Sequence, residues 1–385
     1  MLAISGGYVI TMAGPPLEAG TVLVEGTKIA AVGRDLVPPS GAEVFDARGK
    51  FVLPGLIDAH CHVGIIEEVF RREGDDANET TDPVTPHLRA IDGIDPCDLG
   101  FADALAGGVT TLCVTPGSAN VIGGEMAVLK AAGGTVEAKL VRFPAGMKAA
   151  LGENPKRVYG QEKRTPATRM ANAALLRTAL VQAQEYLRKR ERREGKEAPD
   201  RDLKWEALGR VLEGKIPLRV HAHRADDILT AVRVAREFGA QLVIEHGTEA
   251  YKVADVLARE GVPVVLGPII TNRPKPEMRA VDLRAAKRLA DAGVRFAVMT
   301  DHPVVPVQYL GLSAALTVRG GLDEERALAS VTIEAARILG VADRLGSLEP
   351  GKDADIVVMD RPLFDARSRV KAVFVDGRPA YRREK

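Results

Sequence analysis

The chain has 385 residues, 46% of them hydrophobic and 27% charged, which is ordinary for a globular protein and enough to bury a large core. Its 53 basic and 52 acidic residues leave a net charge of +1, which argues against nucleic acid or a membrane surface as partner, and no apolar run reaches the length of a transmembrane helix. Cys61, Cys97 and Cys113 cannot form a full disulfide framework, and the first residues lack the basic stretch of a signal peptide, so a reducing cytoplasm is the expected compartment.

Residues 1–50 read as short strands joined by turns: Tyr8–Met12, Thr21–Glu25, Lys28–Val32 and Glu43–Asp46, with a hairpin signal at Gly26-Thr27. Such short strands need a partner sheet, and the far end of the chain offers one in Asp355–Met359 and Val370–Val375, followed by the turn Asp376-Gly377. The expected division is a discontinuous β-domain from 1–53 and 346–385 around a middle domain over 54–345. In that middle, strands alternate with helices, the pattern of a parallel sheet flanked by helices. Strands are expected at Leu56–His60, Thr110–Thr115, Leu140–Phe143, Pro217–His221, Gln241–His246, Val262–Gly267 and Arg295–Thr300, as short apolar runs buried on both faces. One more strand would complete an eight-stranded barrel. It should lie between Thr115 and Met147, with Asn120–Gly123 as the candidate.

Two segments exceed a minimal barrel. Residues 64–96 are polar and rich in Gly, Asp and Pro, and read either as a lid over a site or as a surface excursion. Residues 164–215 read as a long charged helical insertion. The run Tyr186-Leu-Arg-Lys-Arg-Glu-Arg-Arg-Glu is a solvated helix face or a contact between copies in a homo-oligomer.

The chemistry is expected at strand ends. In Phe51-Val-Leu-Pro-Gly-Leu-Ile-Asp-Ala-His60-Cys-His62, strand alternation turns both imidazoles to one side and Cys61 to the other, which makes half of a metal site. Three more strands end in ligand types: His221-Ala-His223, Glu245-His246-Gly247 and Thr300-Asp301-His302. In a parallel barrel the C-terminal strand ends share one mouth, so His60, His62, His221, His246 and Asp301 should converge there.

These motifs together resemble the amidohydrolase superfamily. PGLIDAHCHVG is similar to its opening signature, HAH, EHG and TDH to its later metal strands, and Gly346-Ser-Leu-Glu-Pro-Gly-Lys-Asp-Ala-Asp-Ile-Val-Val to its return strand, and the imidazolonepropionase-like branch looks closest. The resemblance implies an α/β fold, a distorted (β/α)8 TIM barrel with a small β-sandwich from both chain ends. It implies that the five converging residues bind or flank one or two divalent metal ions, zinc foremost. It also implies, for a two-metal site, a bridging carboxylated lysine or a glutamate on an earlier strand, for which Lys148 and then Glu125 are the candidates. His221, which directly follows the apolar run, is the expected ligand on its strand. His223 is left to line the pocket, Glu245 is expected to point away from the mouth, and His302 to lie behind Asp301.

The expected reaction is hydrolysis of a C–N bond outside a peptide, in a cyclic amide or related small molecule. Water is activated by the metal, Asp301 moves the proton and His246 polarises the carbonyl. His223, Arg224 and Glu68 are candidate substrate contacts, with Arg89, His87 and Arg157 as further polar candidates. Deamination is disfavoured because Arg224 stands where such branches carry a proton-shuttling Glu. An unusual dipeptidase and a non-catalytic binding barrel are competing readings.

Overall fold

A computed structural model describes residues 1–69, 73–191 and 200–383. The N-terminal segment forms β1 (Leu2–Val9), β2 (Leu17–Glu25), β3 (Lys28–Gly33), β4 (Glu43–Asp46) and β5 (Phe51–Pro54). The middle forms β6 (Leu56–Cys61), β7 (Val109–Val114), β8 (Ile122–Lys130), β9 (Leu140–Ala150), β10 (Leu218–Ala222), β11 (Leu242–His246), β12 (Val264–Leu266) and β13 (Phe296–Val298). The chain returns through β14 (Ile356–Met359), β15 (Val370–Val375) and β16 (Arg378–Arg382).

Both chain ends enter one sheet. Its order is β16-β15-β14-β5-β1-β2-β3, with β4 beside β1, so β14 pairs directly with β5 from the other end of the chain. The sheet folds back on itself, because the Ile29 N–H donates to the Lys352 carbonyl just ahead of β14. Ile4, Val22, Val52, Ile356, Val358 and Phe374 fill the core it encloses.

The second sheet runs β13-β12-β11-β10-β9-β8-β7-β6 and is the barrel. Its ends meet at the rim, where the His62 N–H donates to the His302 carbonyl and the Asp301 N–H to the His60 carbonyl. Ile57, Cys113, Met126, Val243, Val265 and Ala297 pack against the helix Ile333–Leu339, which closes the bottom.

Three expectations need correction. The eighth strand is Ile122–Lys130, longer than the expected Asn120–Gly123, and it runs antiparallel to both β7 and β9. Alternation of strand and helix therefore breaks between β7 and β9, where the one connecting helix is the four-residue Val136–Lys139. The expected strand Leu140–Phe143 continues to Ala150, which puts Lys148 inside β9. The helical insertion is also wall rather than appendage. The helix Arg169–Glu191 buries Leu176, Ala179, Leu180 and Ala183 and packs on the helix Leu203–Leu212, which lies against β9. The last part of the charged run, from Arg192, lies outside the described residues. No helix among the described residues is long and apolar enough to cross a membrane.

Candidate metal centre

Strand ends deliver two groups of donors to the mouth. His60, His62 and Asp301 form one, and His221, His223 and His246 the other, each with its donor atoms within 4.8 Å of one another. In the first, the His60 and His62 Nε2 atoms both lie 3.4 Å from Asp301 Oδ1. Burial alone would raise the Asp301 carboxyl, but these two imidazoles hold it well below the usual carboxylate range, so it is ionised. His246 links the groups: its ring centroid is 5.2 Å from that of His60 and 4.2 Å from that of His221, and its Nδ1 lies 4.0 Å from Asp301 Oδ2. Burial lowers the pKa of His62, and takes those of His221 and His246 well below the ordinary value, so these rings are neutral and able to ligate.

Their other ring nitrogens show which atoms face inward. Nδ1 of His60 meets Glu245 Oε2 at 2.7 Å, Nδ1 of His62 the Thr115 carbonyl at 2.7 Å, and Nδ1 of His246 the Gly267 carbonyl at 3.1 Å. The rings of His60 and His62 are thereby turned with Nε2 to Asp301, the usual outer support of metal-bound histidines. His221 differs: its Nδ1 is the buried atom with no hydrogen-bond partner among the described residues, and its Nε2 lies 3.5 Å from Asn154 Nδ2. A buried orphaned imidazole nitrogen beside three rings held in ligating orientation fits a divalent metal.

Lys148 projects into the barrel beside both groups. It is 1% exposed, and its Nζ lies 3.3 Å from His60 Nε2. Burial pushes its ammonium down to about 8, against the pull of Glu245 and Asp301. Glu125 does not reach the site: it is bound to Arg210 on the outside of the barrel wall.

Glu245 corrects the expectation from alternation. It pairs in register with His221 on β10, so both face inward. His246, the next residue, also reaches the centre because its backbone adopts the left-handed region, with φ of 70°, and breaks the alternation. Asp301 reaches in the same way, with φ of 57°. Glu245 thus sits beneath the centre, holding His60 with one oxygen and Arg219 with the other. Burial would raise its carboxyl, but the Arg219 guanidinium and His60 hold it down at about 2. Arg219 also donates to the Ala59 carbonyl at 2.9 Å. Asp58, a second buried acid in this layer, is pushed up to about 6 by burial and accepts from the Thr300 hydroxyl.

Apart from His223, which belongs to the second donor group, the remaining candidates lie outside this centre. His302 is buried behind Asp301, with its Nε2 3.3 Å from Glu68 Oε1, so Glu68 contacts that ring. Arg224 pairs with Asp226 at the start of the following helix, and its side chain is 42% exposed. Arg89 pairs with Asp92, and His87 and Arg157 are exposed. His223 is buried, with Nδ1 2.7 Å from Thr248 Oγ1. His246 and Thr248 line a cleft with Leu266, Ile269 and Val281.

Sequence reasoning missed Arg219, Asn154, Thr248 and Glu277. A charge inside the apolar run Leu218-Arg-Val220 was a legible signal for Arg219, because a strand buried on both faces admits a charge only when it is paired. Glu277 carried no such signal. It lies in the loop after β12, in the one-turn helix Pro276–Met278, and is 2% exposed. Burial raises its carboxyl to about 7.

A barrel flanked by a sheet from both chain ends, with imidazoles and an ionised aspartate gathered at its mouth, defines a hydrolase of the TIM-barrel type with donors that could hold a metal. The chain belongs to the amidohydrolase family, whose profile matches residues 51–380. It is similar to the amidohydrolase from Thermotoga maritima MSB8 over the full length of both chains, with 47% identity and a TM-score of 0.97. It is 34% identical to the amidohydrolase tasK of Hapsidospora irregularis over 93% of this chain, but it spans 39% of the length of that relative. It is 27% identical to an imidazolonepropionase of Rhizobium meliloti, over 90% of this chain and 86% of that one.

Proposed function

We propose that this protein is a two-metal hydrolase that opens the C–N bond of a cyclic amide or related small molecule. The observation that carries this reading is the place of Lys148, a fully buried amine beside both donor groups with no carboxylate bonded to it among the described residues. An amine with a pKa near 8 is neutral in about a tenth of molecules at pH 7, and the neutral amine can add carbon dioxide and lose a proton to give a carbamate. That two-oxygen anion would lie between His60, His62 and Asp301 on one side and His221 and His246 on the other. Imidazole and carboxylate donors suit zinc, as well as iron, manganese or nickel.

When bound, a divalent metal here supplies an activated water and a Lewis acid for the carbonyl. The chain's own residues do the rest. Asp301 Oδ1 lies 3.4 Å from the Nε2 donors of His60 and His62, with which it would share an ion, and this leaves Oδ2 to take a proton from the attacking water and return it to the leaving nitrogen. His246, anchored through Nδ1 to the Gly267 carbonyl, lines the cleft beside the centre and would polarise the carbonyl. Thr248, which lines the cleft beside His246, lies 2.7 Å from His223 Nδ1, and His302 with Glu68 backs the mouth. Arg224, turned to Asp226, is left out of this reading.

The test is a turnover screen of lactams, cyclic imides and cyclic ureides with zinc-loaded protein, the chelated protein and Asp301→Asn. Ring opening that is lost on chelation, restored by metal and reduced about 10²–10⁴-fold in Asp301→Asn is expected. Release of ammonia from aminated rings in place of ring opening would overturn the reading in favour of a deaminase.

A further inference from the structure

At the end of the barrel opposite the metal centre lies a cavity of about 580 Å³. Pro217, Gln241, Pro263 and Arg295, which line it, stand directly before β10, β11, β12 and β13, so it opens at the strand starts. Its volume falls within the range of small-molecule sites, about 300–1,000 Å³. Val232, Leu242, Val262 and Ile338 give it an apolar wall. The charge around it is mostly of one sign. Arg142, Arg236, Arg295 and Arg337 line the cavity, and among the described residues Glu260 is the one carboxylate that does.

Helix ends do not account for these arginines. The helices Ala225–Phe238, Ala254–Glu260 and Ile333–Leu339 all end here, and a cation commonly answers the partial negative charge of such an end. Each of these helices closes on its own backbone instead: the Ala240 N–H donates to the Ala235 carbonyl, Val262 to Leu257 and Val341 to Ala336, all at 2.9 Å. Arg142 adds bonds from Nη1 to the Leu339 and Gly340 carbonyls, at 2.7 and 3.3 Å. Acids do not account for the arginines either. Glu260 is shared between Arg236 and, at 3.7 Å, Arg259. Glu334 binds Arg337 on its own helix and lies 3.2 Å from Arg295 Nε, yet its Oε2 has no hydrogen-bond partner among the described residues. Arg142, Arg236, Arg259, Arg295 and Arg337 thus face Glu260 and Glu334, five cations against two anions. The side chains of Arg236, Arg295 and Arg337 are about half exposed, and exposed pairs of this kind are weak enough to rearrange around a ligand.

We infer that this cavity binds a small phosphate monoester, with its phosphate on Arg236, Arg295 and Arg337 and its apolar body against the wall formed by Val232, Leu242, Val262 and Ile338. Arginine is suited to this, because its planar fork of five donors meets phosphate oxygens in pairs. A phosphate monoester brings a charge of about −1.5 to −2 at pH 7 and three acceptor oxygens, so forks from more than one side can meet it. A lone carboxylate would balance one guanidinium and leave the rest of the excess. The site stands apart from the metal centre and does not rest on the proposed hydrolysis.

The test is calorimetric titration of the full-length, metal-loaded protein with adenosine monophosphate, adenosine and inorganic phosphate. The monophosphate should bind at least about tenfold more tightly than either of its parts, and its affinity should fall as salt is raised. Arg236→Gln, Arg295→Gln and Arg337→Gln, all at half-exposed positions, should each weaken it about tenfold or more while keeping the metal content of wild type. Arg177→Gln, which alters an exposed arginine paired with Glu237 away from the cavity, should bind it like wild type. Phosphate also ligates metal ions, so the visible spectrum of cobalt-loaded protein is followed during the titration and should not change. No binding of the monophosphate at about millimolar concentration, or equal affinity for it and either part, would overturn the assignment. So would affinity unchanged in all three cavity variants, or lowered as much in Arg177→Gln. A cobalt spectrum that shifts in step with binding would place the anion on the metal and overturn it as well.

Discussion

His60 owes its orientation to a buried relay, in which Arg219 holds Glu245 and Glu245 holds the imidazole. Removing the carboxylate charge by Glu245→Gln leaves the Arg219 guanidinium buried and unpaired. Breaking such a pair costs about 3–5 kcal/mol. Loss of the outer support should also weaken metal binding about 10–100-fold. Denaturant unfolding and chelator competition measure the two effects separately, and a variant unchanged in both would remove the relay from the account. Lys139 makes a second residue-scale prediction, away from the centre. Burial pushes its ammonium down to about 8, while its Nζ donates to the Ala131 carbonyl at 2.8 Å and sits over the Phe101 ring. The folded state therefore binds fewer protons than the unfolded chain between about pH 8 and pH 10.4, so this group's penalty is full below pH 8 and relieved as pH rises through that window. Wild-type stability should carry that rising contribution and Lys139→Met should lack it. Parallel stability–pH curves for the two proteins between pH 8 and pH 10 would contradict this.

Elements differ in how much of themselves the sequence displays. Most barrel strands are legible as short apolar runs, and the candidate ligands are legible because they end those runs. β8 hides because Ile-Gly-Gly-Glu-Met-Ala-Val-Leu-Lys mixes glycine and charge with apolar residues, and its glutamate and lysine are satisfied by Arg210 and by acids of the C-terminal segment. The inward turn of both Glu245 and His246 is invisible to a two-residue period, because it depends on one left-handed residue. Glu277 depends on a loop path, which no periodicity encodes. The helix Arg169–Glu191 looks solvated for a related reason, since its charged residues crowd round a narrow buried seam. Leu180→Ala in that seam should cost about 2–5 kcal/mol. A change below about 0.5 kcal/mol, typical of surface sites, would show that the helix does not support the barrel.

Across the whole molecule, the two chain ends and the barrel are joined by charge as well as by sheet. Lys130, at the end of β8, lies 2.8 Å from Asp355 and 3.1 Å from both Asp353 and Asp376, so a barrel strand is pinned to the returning C-terminal segment. Burial would lower its ammonium, but these carboxylates hold it raised. The same segment supplies β14, the partner of β5, which leads directly into β6 and the His60–His62 pair. Closure of the outer sheet thus fixes the strand that begins the metal centre. The central claim is that this centre takes two metal ions bridged through Lys148, and metal content per chain tests it most directly. Protein loaded with zinc in the presence of bicarbonate should bind two equivalents, Lys148→Ala at most one, and the His60→Ala/His62→Ala double variant should lose the ion that those residues share with Asp301. One equivalent in wild type, unchanged in Lys148→Ala, would contradict it.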